Sequence, residues 1–295
     1  MSINLPSHYV QQYATNLQLL LQQLDTRLKA FVTEGSHIGE QAAEVDQVGK
    51  IEMQEPAGRF APIGRVDAAV DRRWVSPIPY DLPQLIDSFD KLKLLLDPNS
   101  TFVANGAAAA NRQYDRAIIA SFFADAKTGK TGTVTTSFLS ANQVAVTMGA
   151  SAATGMNVKK MREAKRILMS YDIDLRSNQI YMGVTSKQHD DLLAEAQITS
   201  TDFNDKPVLV EGMVTRFLGI NLIQTELLAL DSNSYRRCPV WIKSGMHLGQ
   251  WGSMSTNLSQ ETQLSGQPYQ IYQKMMIGAT RLDEKKVIEI KCSEA

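Results

Sequence analysis

Between Gly35 and Tyr80 the chain runs far without the means to build a core. Pro56, Gly58, Pro62, Gly64, Pro77 and Pro79 punctuate it. Short pieces such as Ile51-Glu52-Met53 and Arg72-Arg73-Trp74-Val75 alternate polar with apolar residues, the pattern of half-buried strands. A stretch this long and this poor in apolar residues is unusual inside a compact domain. An extended hairpin laid across a second molecule accounts for it, because the partner supplies the missing burial. In a strand, Arg72 and Trp74 face one side and Arg73 the other. One arginine can then cross a subunit boundary while Trp74 fills an apolar pocket, and both residue types are over-represented at interface hot spots. Arg72, Arg73 and Trp74 are therefore candidate subunit-interface residues. The alternative is a solvated arginine pair beside a core tryptophan.

The segments on either side read as helices. Val10, Tyr13, Leu17, Leu20, Leu24, Leu28 and Phe31 recur at spacings of three and four with polar residues between them. That stripe must pack on its own core or on a neighbour, which makes Leu17 and Leu24 further interface candidates. Asp81 suits an N-cap, with Leu85, Ile86, Phe89 and Leu92 on one face of the helix it would open. Asp97-Pro98 ends that helix and opens the next. There Phe102, Gly106, Ala110, Tyr114, Ile118 and Phe122 fall at successive fourth positions, predicting one helix from Pro98 to near Ala124. At 1.5 Å per residue it is ~40 Å long, a spine rather than a small core helix.

Residues 132–148 read as strands, and Asn157 as the cap of a helix carrying Val158, Met161, Ala164 and Leu168. Strands are expected at 180–184, 207–210, 220–224, 239–243, 269–277 and 286–291, the last two as an antiparallel pair. A helix capped by Ser186 turns Leu192 and Leu193 inward. Helices and strands mix without a regular β-α-β rhythm, so the fold class is α+β.

Composition narrows the function. Thirty Lys and Arg against 31 Asp and Glu leave no basic excess for a dedicated nucleic-acid binder, though a protein that merely encloses nucleic acid is compatible. Cys238 and Cys292 share no ligand spacing and read as reduced buried thiols. No stretch has the ~20 apolar residues of a membrane helix, and MSINLPSHYVQQ lacks a signal-peptide pattern, so the expected compartment is a reducing cytoplasm. Gly129-Lys130-Thr131 looks like the end of a phosphate loop, but the earlier glycine is replaced by Ala124 and the order is helix-then-strand. It reads as a helix-to-strand turn. His8, His37, His189 and His247 have no zinc-ligand spacing, and Ser186 beside His189 reads as a cap. Lys159, Lys160, Arg162, Lys165 and Arg166 give one helix a basic face, either solvated or set against an acidic neighbour or DNA. No catalytic, cofactor-binding or metal residue is assigned.

Short strings in order along the chain carry a resemblance. Gln22-Gln23-Leu24, Asp71-Arg72-Arg73-Trp74-Val75, Leu96-Asp97-Pro98-Asn99-Ser100, Asp115-Arg116-Ala117-Ile118-Ile119 and Ala126-Lys127-Thr128-Gly129 belong to it. So do Thr199-Ser200-Thr201-Asp202-Phe203-Asn204, Lys206-Pro207-Val208-Leu209, Phe217-Leu218-Gly219-Ile220, Gly278-Ala279-Thr280-Arg281 and the residues 287–292. Together they resemble the major capsid proteins of tailed bacteriophages, with the fold named after phage Hong Kong ninety-seven.

The resemblance implies an N-terminal arm helix at 1–34 and an extended loop at 35–80. It implies a peripheral domain at 81–155 and 265–295 with a spine helix at about 98–124, and an axial domain at 156–264. The implied protein is not an enzyme. It self-assembles into pentamers and hexamers of an icosahedral virion head that encloses double-stranded DNA, built in the host bacterial cytoplasm without membrane contact or cofactors. Its expected partners are itself, a separate scaffolding protein, a portal and a decoration protein. The alternatives are an encapsulin-like cargo shell and, from Gly129-Lys130-Thr131 alone, an NTP-binding enzyme.

Overall fold

The computed structural model describes residues 22–39, 43–55, 58, 64–86, 99–195, 209–210 and 213–294. Residues 22–32 form no α-helix beyond a single 3-10 turn at Lys29–Phe31, which corrects the helical stripe where it reaches Leu24, Leu28 and Phe31. The reason lies in the Asp115 carboxylate, which accepts from the backbone N–H of Arg27 at 2.9 Å and of Leu28 at 3.0 Å. Those donors are answered from outside the segment, so no helix is needed to satisfy them. The earlier part of the stripe, Leu17 included, lies outside the described residues.

Strand β1 (Thr33–Ser36) follows, then β2 (Ala43–Val48) and β3 (Val70–Val75), which pair antiparallel as the hairpin expected of residues 35–80. β4 (Ile78–Ile86) replaces the helix expected from Asp81. Tyr80, Leu82, Gln84 and Ile86 are covered while Pro79, Asp81, Pro83 and Leu85 are exposed, a period of two. Pro83 cannot donate a backbone hydrogen bond and sits on an exposed position, where a strand tolerates it better than a helix interior would. Phe89 and Leu92 lie outside the described residues.

Helix α1 (Asn99–Phe123) matches the predicted spine to within a residue at each end. β5 (Ala126–Thr128), β6 (Val134–Thr136) and β7 (Gln143–Val144) follow. α2 (Val158–Ser170) is capped as expected by Asn157, whose side chain accepts from Lys160 N. After β8 (Ile180–Val184), α3 (Ser186–Leu193) is capped by Thr185 rather than Ser186, in a capping box with Gln188. Leu192 is buried and Leu193 half-buried. Two short strands, β9 (Leu209–Val210) and β10 (Met213–Val214), precede β11 (Arg216–Phe217), β12 (Ile220–Gln224), β13 (Arg236–Ile242) and β14 (Met246–Gln250). The chain continues through β15 (Ser255–Gln260), β16 (Tyr269–Arg281) and β17 (Val287–Cys292).

The chain divides into two units. The first comprises the described parts of Met1–Asp25, Pro79–Gln113 and Ser253–Met276. Within it β15 pairs antiparallel with Tyr269–Lys274 of β16. Gly106 of α1 makes room there for the Gln273 amide, since a Cβ would sit 1.7 Å from Gln273 Oε1 and the side chain would have to move.

The second unit comprises Thr26–Ile78, Tyr114–Gly252 and Ile277–Ala295. Its main sheet runs β11-β12-β8-β13-β17-β7, with β8 buried at every residue. The expected β16–β17 pair does not form. A 3-10 turn at Glu284–Lys286 carries the chain into the other sheet, where β17 pairs with β13 and β7, while β14 and β15 take β16. Trp241 is fully buried, with its ring 4.8 Å from that of Phe122 and its indole N–H donating to Phe31 O at 2.9 Å. Lys160, also fully buried, donates to the carbonyls of Thr154, Gly155 and Lys291 at 2.7, 2.8 and 2.9 Å, so its charge is solvated by backbone. Burial pulls its pKa down. Mixed sheets with helices set apart from any regular rhythm make the fold α+β, as the sequence implies.

Candidate assembly interface

Alternation along β3 sorts the three residues singled out on it. Arg73 points inward and is buried, its Nη2 donating to Glu284 Oε2 at 2.7 Å. Arg72 points outward, where Nε meets Asp46 Oδ1 of its cross-strand partner at 2.7 Å. Trp74 is half-buried, its Nε1 donating to Gly129 O at 2.7 Å. Arg72 and Trp74 thus share a face opposite Arg73, as expected. What sequence could not show is that Arg73 is answered within its own unit by a carboxylate 211 residues away. Leu24 is half exposed, at 53%.

The same hairpin carries a row of uncovered apolar side chains. Ile38 and Met53 are fully exposed, Val48 and Val70 are 73% and 70% exposed, and Ile51 and Val66 are also open. Val48 and Val70 face each other across the pairing, so they form one continuous apolar surface. Single exposed apolar residues are ordinary, whereas neighbouring ones such as the Val48–Val70 pair suit a surface that another molecule covers.

The motifs that hinted at chemistry resolve into structure. Gly129-Lys130-Thr131 lies in the hairpin turn between β5 and β6, with Gly129 at φ +83° and Gly132 at φ +69°. The expected helix-to-strand turn is therefore strand-to-strand, and no helix N-terminus follows to meet a phosphate. His189 Nε2 accepts from Val214 N at 3.0 Å and serves packing. Among the described residues no group of three or more His, Cys, Asp or Glu could hold a metal ion. Cys238 and Cys292 are free and fully buried. The basic face of α2 is smaller than expected, because Lys160 turns inward and Lys165 Nζ donates to Leu218 O. Lys159, Arg162 and Arg166 remain around a hollow of about 290 Å³, and Glu163 there grips Arg166.

A family model described as phage capsid protein matches residues 5–294. The chain belongs to that family. As a capsid protein it has a structural, not an enzymatic, role. Solved capsids share its fold at low identity. The capsid of cyanophage P-SCSP1u superposes with a TM-score of 0.73 at 12% identity, covering 97% of this chain and 94% of that one. The head of Helicobacter pylori bacteriophage KHP40 gives 0.73 at 10% identity, with 100% and 99% covered. The capsid of Ralstonia phage GP4 gives 0.69 at 10% identity, with 99% and 97% covered. No curated protein sequence matches. A capsid protein needs no active site, and its functional surface is whatever it shows to other copies.

Proposed function

We propose that this capsid protein builds an icosahedral head of pentamers and hexamers around double-stranded DNA, with residues 35–80 lying across a neighbouring subunit. The observation that carries this reading is the row of open apolar residues from Ile38 to Val70. Burying such side chains stabilises by about 1.5–3 kcal/mol each, and among the described residues none covers them. Each contact is modest, but a subunit held by several neighbours is held by their sum, and heterologous contacts that close by symmetry stop at a finite shell. On this reading Arg72 and Trp74 border the contact, while Arg73 holds the root of the hairpin. Residues 81–155 with 265–295 form the peripheral domain and 156–264 the axial domain. A scaffolding protein and a portal assist assembly in the bacterial cytoplasm.

The test is the double substitution Ile51→Asp and Met53→Asp. Both side chains are exposed, so far-UV circular dichroism and melting of the unassembled subunit stay at wild type. Electron microscopy should show no shells. Normal shells from the double variant would overturn the reading.

A further inference from the structure

The sequence scatters four histidines, and the fold brings two of them together. β1 pairs parallel with β14, setting Thr33 beside His247 and Gly35 beside Gly249. His37, one step beyond β1, bonds through its backbone N–H to Gln250 O at 2.9 Å. Strand alternation puts Thr33, Gly35 and His37 on one face with His247, Gly249 and Trp251. There the two Nε2 atoms lie 3.0 Å apart, the rings at 67°. Trp251 lies against His37 at 5.0 Å between centroids. The glycine pair makes this contact possible. A Cβ on Gly35 would stand 2.6 Å from His247 Cε1, and one on Gly249 would stand 2.7 Å from His37 Cδ2. His37 is the point at which the extended segment leaves the sheet.

We propose that His37 and His247 form a proton-released latch that fastens the root of the extended segment to β14. A 3.0 Å N···N contact needs one nitrogen as donor and the other as acceptor, so the neutral pair is satisfied. The pair takes one proton and keeps the bond. A second proton leaves two N–H groups facing each other with no acceptor and two like charges in contact.

The described strands around the pair offer no relief. On the shared face β16 presents Thr280 and Gly278, and the backbone of Ser76 covers Gly278. The nearest charged residues on these strands, Glu34 and Arg281, alternate to the opposite face, Glu34 toward Gln250 and Lys29, and Arg281 toward Phe122 O and Ala124 O. Burial and the His37 charge hold the His247 pKa down at about 4, and burial lowers that of His37. In an opened state both rings regain ordinary values near 6.5. The open state therefore binds more protons between these limits. Falling pH favours opening below about 6.5, and the His247 contribution is complete once pH passes about 4.

Histidine Cε1–H exchange, read by mass spectrometry on the full chain, should give a His247 midpoint far below 6.5. Backbone amide exchange across residues 33–37, corrected for intrinsic rates, should show protection falling roughly tenfold per pH unit between pH 6 and 5, where carboxylates stay ionised. In the double variant His37→Gln with His247→Gln, which keeps amides but takes no proton, that dependence should flatten. A His247 midpoint near 6.5 in the folded wild type, or the same pH dependence in the double variant, overturns the latch. The wild-type midpoint decides the matter even where a variant fails to fold.

Discussion

The sheet around β8, β13 and β17 and the β2–β3 hairpin lie in the same unit yet keep opposite accounts. In the sheet every residue of β8 is buried, Trp241 has both its ring and its N–H answered, and even the Lys160 charge finds three carbonyls. In the hairpin the backbone is paired over six residues on each strand, but Val48 and Val70 face water. One region is finished within the chain. The other has its hydrogen bonds and lacks its burial, which is the condition of half an interface.

Three substitutions press on that contrast, in falling order of effect. Trp241→Ala should cost the unassembled subunit about 3–5 kcal/mol, with the indole's bond to Phe31 O also lost. Urea denaturation measures it, and a loss under 1 kcal/mol would mean the sheet is not the closed region described. Arg73→Ala breaks a buried ion pair and leaves Glu284 with its longer 3.7 Å contact to Arg281 Nε, at a cost of up to about 3 kcal/mol. Pairing it with Glu284→Gln should recover part of that loss. If Arg73→Ala leaves the melting curve unchanged but abolishes shells, Arg73 belongs with the open region instead. Arg72→Ala removes an outward pair with Asp46 and should change subunit stability by less than about 1 kcal/mol. Its effect should appear in shell yield, and equal yield and equal shell melting would remove Arg72 from the interface.

What could be read in the sequence depended on whether the deciding partner was local. α1 was legible because its fourth-position rhythm lies within the segment, while Asp97 and Pro98 lie outside the described residues. Also legible were the Asn157 cap and the strands at Ile180–Val184 and Ile220–Gln224. β4 was misread because Leu85 and Ile86 fit a helical face as well as a strand. The evidence against the helix was the alternation of Leu82, Gln84 and Ile86 around Pro83. The loss of helix at Leu24–Phe31 was invisible, since its cause is Asp115. At the candidate interface the side-to-side sorting of Arg72 and Arg73 followed from strand geometry. The partner of Arg73 and the His37–His247 contact, 210 residues apart, could come only from the fold.

That separation also has a bearing on time. β1 meets β14 in parallel, and β7 meets β17 in parallel across a shorter but still long span, Gln143 beside Glu289. Parallel pairings between distant segments are slow to form, because the chain must close a long loop before any bond rewards it. The strand at the root of the hairpin is thus among the later pieces to settle. Until it does, the apolar row has no fixed frame from which to reach another copy, and the concentration of competent subunits is set by folding rate as well as by synthesis.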